Sequence, residues 1–124
     1  MAAVAAQQGI ESELIPGIAT AFCSGLSETG GTCGALTGGI LALSMARGRR
    51  STDDGREALY KHTRALIGGF EQKFAAARCP ELIHIQLGTP EASAEYRARG
   101  LSTQCEQYIR EVTEKAVAML QEAE

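Results

Sequence analysis

The residues of this chain best suited to chemistry are its 4 cysteines, Cys23, Cys33, Cys79 and Cys105. A thiolate is both the nucleophile of disulfide exchange and a soft metal ligand, so these side chains offer redox or metal chemistry. Cys33 stands in the run Gly31-Thr32-Cys33-Gly34-Ala35-Leu36-Thr37-Gly38-Gly39. Thr32 reads as a helix cap, which puts Cys33 in a first turn, where unpaired N–H groups and the helix dipole favour the thiolate. Cys33 is therefore the expected low-pKa sulfur. Cys79 falls at a helix junction in Arg78-Cys79-Pro80-Glu81, and Cys105 near the start of the last helix. Helix ends in a small bundle often gather at one pole, so Cys33, Cys79 and Cys105 could converge on a disulfide or on a metal site. Cys23 would be a fourth or resolving thiol. No C-x-x-C or zinc-knuckle pair occurs, and no C-x-x-C-H is present for covalent haem. On cysteine count alone, buried structural thiols are the favoured reading, because free cysteine is among the most buried residue types.

The other reactive groups add little. His62 lies between Lys61 and Thr63 on a helix and reads as exposed or partly packed, while His84, soon after Cys79, is the better base or ligand. The glycines before Thr32 could cradle an anion, but they lack the lysine and spacing of a phosphate-binding loop. Gly34 and Gly38 are one helical turn apart, so with Ala42 they let a flat cofactor or a second backbone approach closely. Acidic pairs such as Asp53-Asp54 sit at helix starts, where capping explains them.

Composition bounds the rest. A chain of 124 residues with 44% hydrophobic content can bury one core without disulfides, so residues 1–124 read as one domain. A formal charge of -3 leaves no basic surplus for nucleic acid. The apolar run from Ala35 to Ala46 is broken by Thr37, Gly38, Gly39 and Ser44, well short of the roughly 20 residues of a membrane span. The first residues lack the charged and apolar regions of an export signal, which makes a cytoplasmic location the expectation.

Helix-forming residues dominate and strand alternation is almost absent, so the elements that must position the sulfurs form an all-α bundle of about five or six helices. A short first helix breaks near Gly9, and a second follows Pro16 with Ile18, Ala21 and Phe22 on one side. Residues Cys23 to Gly31 read as a loop, and the helix capped by Thr32 runs to about Arg47. Asp53 or Asp54 should cap the next helix, whose apolar side carries Leu59, Leu66, Phe70 and Phe74 and which ends at Arg78-Cys79-Pro80. Pro80 opens a short turn, Thr89-Pro90 starts a polar helix, and a last helix from about Ser102 carries Cys105, Tyr108, Ile109, Val112, Ala116 and Leu120 on one stripe.

The stretch Gly31 to Ile40, the later Arg78-Cys79-Pro80-Glu81-Leu82, and Cys105 before Tyr108-Ile109 resemble the C_GCAxxG_C_C family of proteins ascribed redox activity. The likeness runs from Gly9 to about Leu120. It implies a small helical protein related to the helical domain of split-Soret cytochromes, with Cys33, Cys79 and Cys105 on the family's cysteine positions. It implies a redox or metal role, in a family sometimes encoded near transporter genes, which makes a transporter component one expected partner. The family's first cysteine would fall at or before Met1, and Cys23 is instead an extra thiol.

The expectation is a redox protein in which Cys33, Cys79, Cys105 and Cys23 carry the chemistry as a thiol/disulfide pair, a metal ion or an iron–sulfur cluster. Cys33, Cys79 and Cys105 would be the metal ligands, Gly34 and Gly38 would approach a cofactor, and a redox partner would exchange electrons. The rival reading is a non-catalytic module that forms a homodimer or docks on a transporter component through Gly34, Gly38 and Ala42.

Overall fold

The computed structural model describes residues 1–122, and their regular elements are helical. In chain order they are α1 (Ala2–Gln7), a 3-10 helix (Gly17–Phe22), α2 (Cys23–Glu28), α3 (Gly34–Arg47), α4 (Glu57–Phe74), α5 (Cys79–Ile83), α6 (Pro90–Ala98) and α7 (Leu101–Gln121). The all-α expectation holds, with more and shorter pieces than the five or six helices that periodicity suggests.

The surplus arises where the loop over Cys23 to Gly31 was expected. α2 is a single turn wound left-handed, with φ of 54° at Ser24, 65° at Gly25, 55° at Leu26 and 59° at Ser27. That hand costs an ordinary L-residue about 1–2 kcal/mol, so only Gly25 adopts it freely. Local hydrogen bonds offset the strain: the Thr29 and Gly31 amides both donate to the Gly25 carbonyl, at 3.3 and 3.0 Å. The Ser27 hydroxyl donates to the Ala21 carbonyl at 2.8 Å.

Two helix starts also differ from the sequence reading. Cys33 itself is the N-cap residue of α3, because Thr32 is drawn into an antiparallel bridge with Arg78. α4 begins after Arg56, while the Asp54 carboxylate accepts the amides of Arg50 and Ser51 and closes the turn that follows α3. α4 stops at Phe74, earlier than expected, with Ala75 left-handed at φ 65°. The Thr89 cap of α6 is as expected: its hydroxyl oxygen accepts the Ala92 amide at 3.1 Å.

α3 is the spine of the fold. It packs on both α4 and α7, and Leu36, Ala42 and Leu43 are fully buried along it. Gly39 is the residue that permits this crossing, since a β-carbon there would fall inside the Val112 side chain. α7 buries Tyr108, Val112, Ala116 and Leu120, whereas Ile109 is 53% exposed. One residue is about 100° of helical rotation, which turns Ile109 off the stripe that Tyr108 sets. Phe70, Phe74 and Tyr108 form an aromatic cluster with ring centroids 4.8 to 5.8 Å apart. Burying each such side chain stabilises the fold by about 1.5–3 kcal/mol. No helix among the described residues is long and apolar enough to cross a membrane.

Candidate functional site

Cys33 and Cys79 are joined through the backbone. The bridge pairs Thr32 with Arg78; the Cys33 amide donates to the Ala77 carbonyl at 2.7 Å and the Cys79 amide to the Gly31 carbonyl at 2.9 Å. Side chains alternate across extended backbone, so each cysteine, one residue beyond the pair, lies on the face opposite Thr32 and Arg78. The two are diagonal neighbours, a relation that sets Cα atoms about 7–8 Å apart with the β-carbons somewhat nearer.

α5 and α7 bring the third sulfur to the same place. The Gln104 amide donates to the Leu82 carbonyl at 2.8 Å, and the Tyr108 hydroxyl reaches the same oxygen at 3.4 Å. These bonds lock the short helix that carries Cys79 against the helix that carries Cys105. Arg78 ties the other side, its Nε donating to the Gly30 carbonyl at 2.9 Å.

The result is a cavity of about 680 Å³ with Cys23, Cys33, Cys79 and Cys105 all in its lining. All four are free thiols; Cys23 is exposed and the other three are partly buried. Gly25 packs directly on Cys79, since a β-carbon on it would stand 2.6 Å from the Cys79 Cβ. Gly34 likewise admits the backbone of Cys23, whose Cα would lie 3.2 Å from a β-carbon there. Remote thiols are thus gathered around one space, with Cys23 held over the start of α3.

Burial governs the electrostatics. The Cys33 thiol is pushed above its ordinary range by desolvation; the amides of Ala35 and Leu36 at the start of α3 pull it down, and the nearby Cys105 sulfur raises it further. The expected low-pKa Cys33 is therefore corrected: its position at the helix end is right, but desolvation outweighs the helix amides. Cys79 is raised too, first by burial and then by the charges of Cys33 and Cys105. The three sulfurs are close enough to affect one another. Tyr96 is raised by burial first and then by its hydrogen bond to Cys105, with Cys79 contributing as well.

The other expected groups are dispersed. His84 is exposed at the left-handed C-cap of α5 and is not part of the cavity lining, so it is not placed to act as a base on Cys33. His62 Nε2 lies 3.3 Å from a Glu122 carboxylate oxygen. Among the described residues, no three histidine, cysteine, aspartate or glutamate side chains are gathered tightly enough to hold a metal ion. Cys33, Cys79 and Cys105, the ligands expected of a metal site, line one cavity without forming such a group.

Gly34 and Gly38 do line the cavity, but as contacts within the chain. Gly34 meets the Cys23 backbone, Gly38 faces the Met1 amine, and Ala42 is fully buried. Of the small-residue face, Gly34 and Gly38 are thus half-buried beside the chain's own N-terminal residues and Ala42 lies in the core.

Sequence reasoning missed Gly25, Tyr96 and Arg97, all in the cavity lining. Only Tyr96 carried a signal, as an aromatic residue in an otherwise polar helix. No curated protein and no solved structure matches the chain significantly. A family described as "Putative redox-active protein (C_GCAxxG_C_C)" matches residues 1–119. The match covers nearly the whole chain, including Cys23, Cys33, Cys79 and Cys105 around the cavity, and the chain belongs to the C_GCAxxG_C_C family.

Proposed function

We propose that this chain is a dithiol redox protein in which Cys33 and Cys79 cycle between two thiols and one disulfide. The observation that carries the reading is the Thr32–Arg78 bridge, which puts both cysteines on one face and on one cavity. A disulfide needs Cα atoms within about 7 Å, so a shift of about 1 Å from the diagonal geometry suffices. Closing the bond releases two protons and two electrons to an oxidant; reduction returns them. Cys105 stands by as a third sulfur beside Tyr96, and Cys23 is the thiol most open to solvent.

Burial keeps both members of the pair protonated at neutral pH, which suits a resting dithiol that reacts slowly with polar oxidants in bulk water. The test is oxidation of the reduced full chain with diamide, followed by alkylation and peptide mapping. The expected product is one disulfide between Cys33 and Cys79, lost in Cys33→Ser. Full alkylation of all four cysteines after oxidation would overturn the reading.

A further inference from the structure

We propose that the cavity binds an uncharged, largely apolar two-electron acceptor of the quinone class, which serves as oxidant for the Cys33 and Cys79 thiols. This rests on the dithiol reading and names its substrate class.

The first argument is size and lining. About 680 Å³ falls within the range of small-molecule sites, roughly 300–1,000 Å³. Apolar groups such as Ala19, Phe22, Ile83 and Val112 make up much of the wall. Phe22 and Ile109 line the cavity and yet remain 37% and 53% exposed, which gives it an apolar mouth. Large apolar side chains left in water next to a cavity favour an apolar visitor, because its arrival removes both surfaces from water.

The polar groups make the second argument. Ser93 and Arg97 of α6 stand together in the lining and offer hydrogen-bond donors from one helix, while the Met1 amine, Ser24 and Thr113 add polar groups elsewhere in the wall. A planar molecule with carbonyl oxygens could meet these donors while its ring rests on the apolar walls. The thiols stand in the same lining, within reach of such a ring. Protonated thiols in a desolvated setting match a neutral oxidant, whereas a charged peptide disulfide would have to shed its hydration to enter.

The step balances. Two S–H bonds break and one S–S bond forms; the two electrons and two protons pass to the quinone oxygens, so one quinone becomes one hydroquinone per disulfide. The probe is duroquinone, whose fully substituted ring leaves no hydrogen to lose in stable arylation by a thiol. Reduced full-length chain is mixed anaerobically with duroquinone, and in parallel with diamide; the disulfide is mapped and quinone loss is followed by absorbance.

The expected result is a rate that saturates with duroquinone, one quinone consumed per Cys33–Cys79 disulfide, and a fall of about tenfold in Ile109→Arg. The exposed position of Ile109 lets that variant keep its fold, which thermal melting checks. A linear rate no faster than that of free cysteine, with diamide still closing the bond, overturns this inference and leaves the dithiol reading standing. Saturation unchanged in Ile109→Arg overturns the placement in this cavity. Failure of diamide to close the bond removes the dithiol reading and this inference with it.

Discussion

Gly25 lies against Cys79 so closely that a β-carbon on the glycine would stand 2.6 Å from the Cys79 Cβ and 3.5 Å from its sulfur. Gly25 is also buried and left-handed, at φ 65°. One residue thus answers two demands, backbone conformation and room for the thiol, that no other side chain meets together.

Gly25→Ala is therefore expected to lose about 1–3 kcal/mol in urea denaturation, combining overpacking with strain at a positive φ. It should also slow disulfide formation between Cys33 and Cys79 by displacing Cys79. A wild-type unfolding midpoint would contradict the packing described for this pair.

Two adjacent glycines of α3 should behave oppositely. A β-carbon on Gly39 would strike Val112 and press Leu66 at 3.3 Å, whereas one on Gly38 meets nothing nearer than the Met1 amine at 3.7 Å. Gly39→Ala should cost about 1–3 kcal/mol. Gly38→Ala should be neutral or gain about 0.5–1 kcal/mol from helix propensity. Equal effects in denaturation would show that α3 and α7 do not cross at Gly39.

The buried thiols set an alkaline limit on stability. Cys33 and Cys79 both have pKa values raised above the ordinary 9.0, so in that window the native state holds protons that the unfolded chain has released. Stability is then full below the ordinary thiol range and falls as pH rises through the raised values. Denaturation midpoints from about pH 8 to about pH 11 should decline, and the decline should be shallower in the Cys33→Ala, Cys79→Ala double variant. An identical slope in that variant would assign the loss to other groups.

Alkylation gives a direct reading of the same thiol. Because desolvation outweighs the α3 amides at Cys33, its iodoacetamide rate at neutral pH should fall below that of free cysteine and its midpoint should lie above the free-thiol value. Faster reaction than free cysteine at neutral pH would restore the helix-end thiolate.

Tyr96 offers a spectroscopic check on its contact with Cys105. Burial is the larger cause of its raised pKa and the Cys105 hydrogen bond the next. Ultraviolet titration should show one tyrosine ionising well above the ordinary range, absent in Tyr96→Phe and lowered only part-way in Cys105→Ala. No change in Cys105→Ala would mean that the hydrogen bond is not made.

Helical content and most boundaries were legible because they are written in local terms. The three- and four-residue recurrence of Leu66 and Phe70 is enough for α4, and Thr89 before Pro90 is enough for the start of α6. The start of α3 differs because the Thr32 backbone is drawn into the bridge with Arg78, held by the Cys33 and Cys79 amides on either side, and that of α4 because the Asp54 carboxylate accepts the amides of the turn after α3. Local propensity cannot register Arg78, a partner distant in sequence from Thr32, whereas at Asp54 a turn and a helix cap compete over the same few residues. The left-handed turn over Ser24 to Ser27 was illegible for a related reason, since residues other than glycine adopt that hand only where surrounding contacts impose it.

By itself the sequence determined the class of fold, the single cysteines at helix ends and the kind of chemistry sulfur can do, because periodicity, capping and residue type act over a few neighbouring positions. Only the tertiary structure decided that Cys33 and Cys79 share a bridge, that Cys105 and Cys23 border the same cavity, and that desolvation prevails over the helix dipole at Cys33. Those outcomes depend on which surfaces exclude water together, and that is a property of the packed chain.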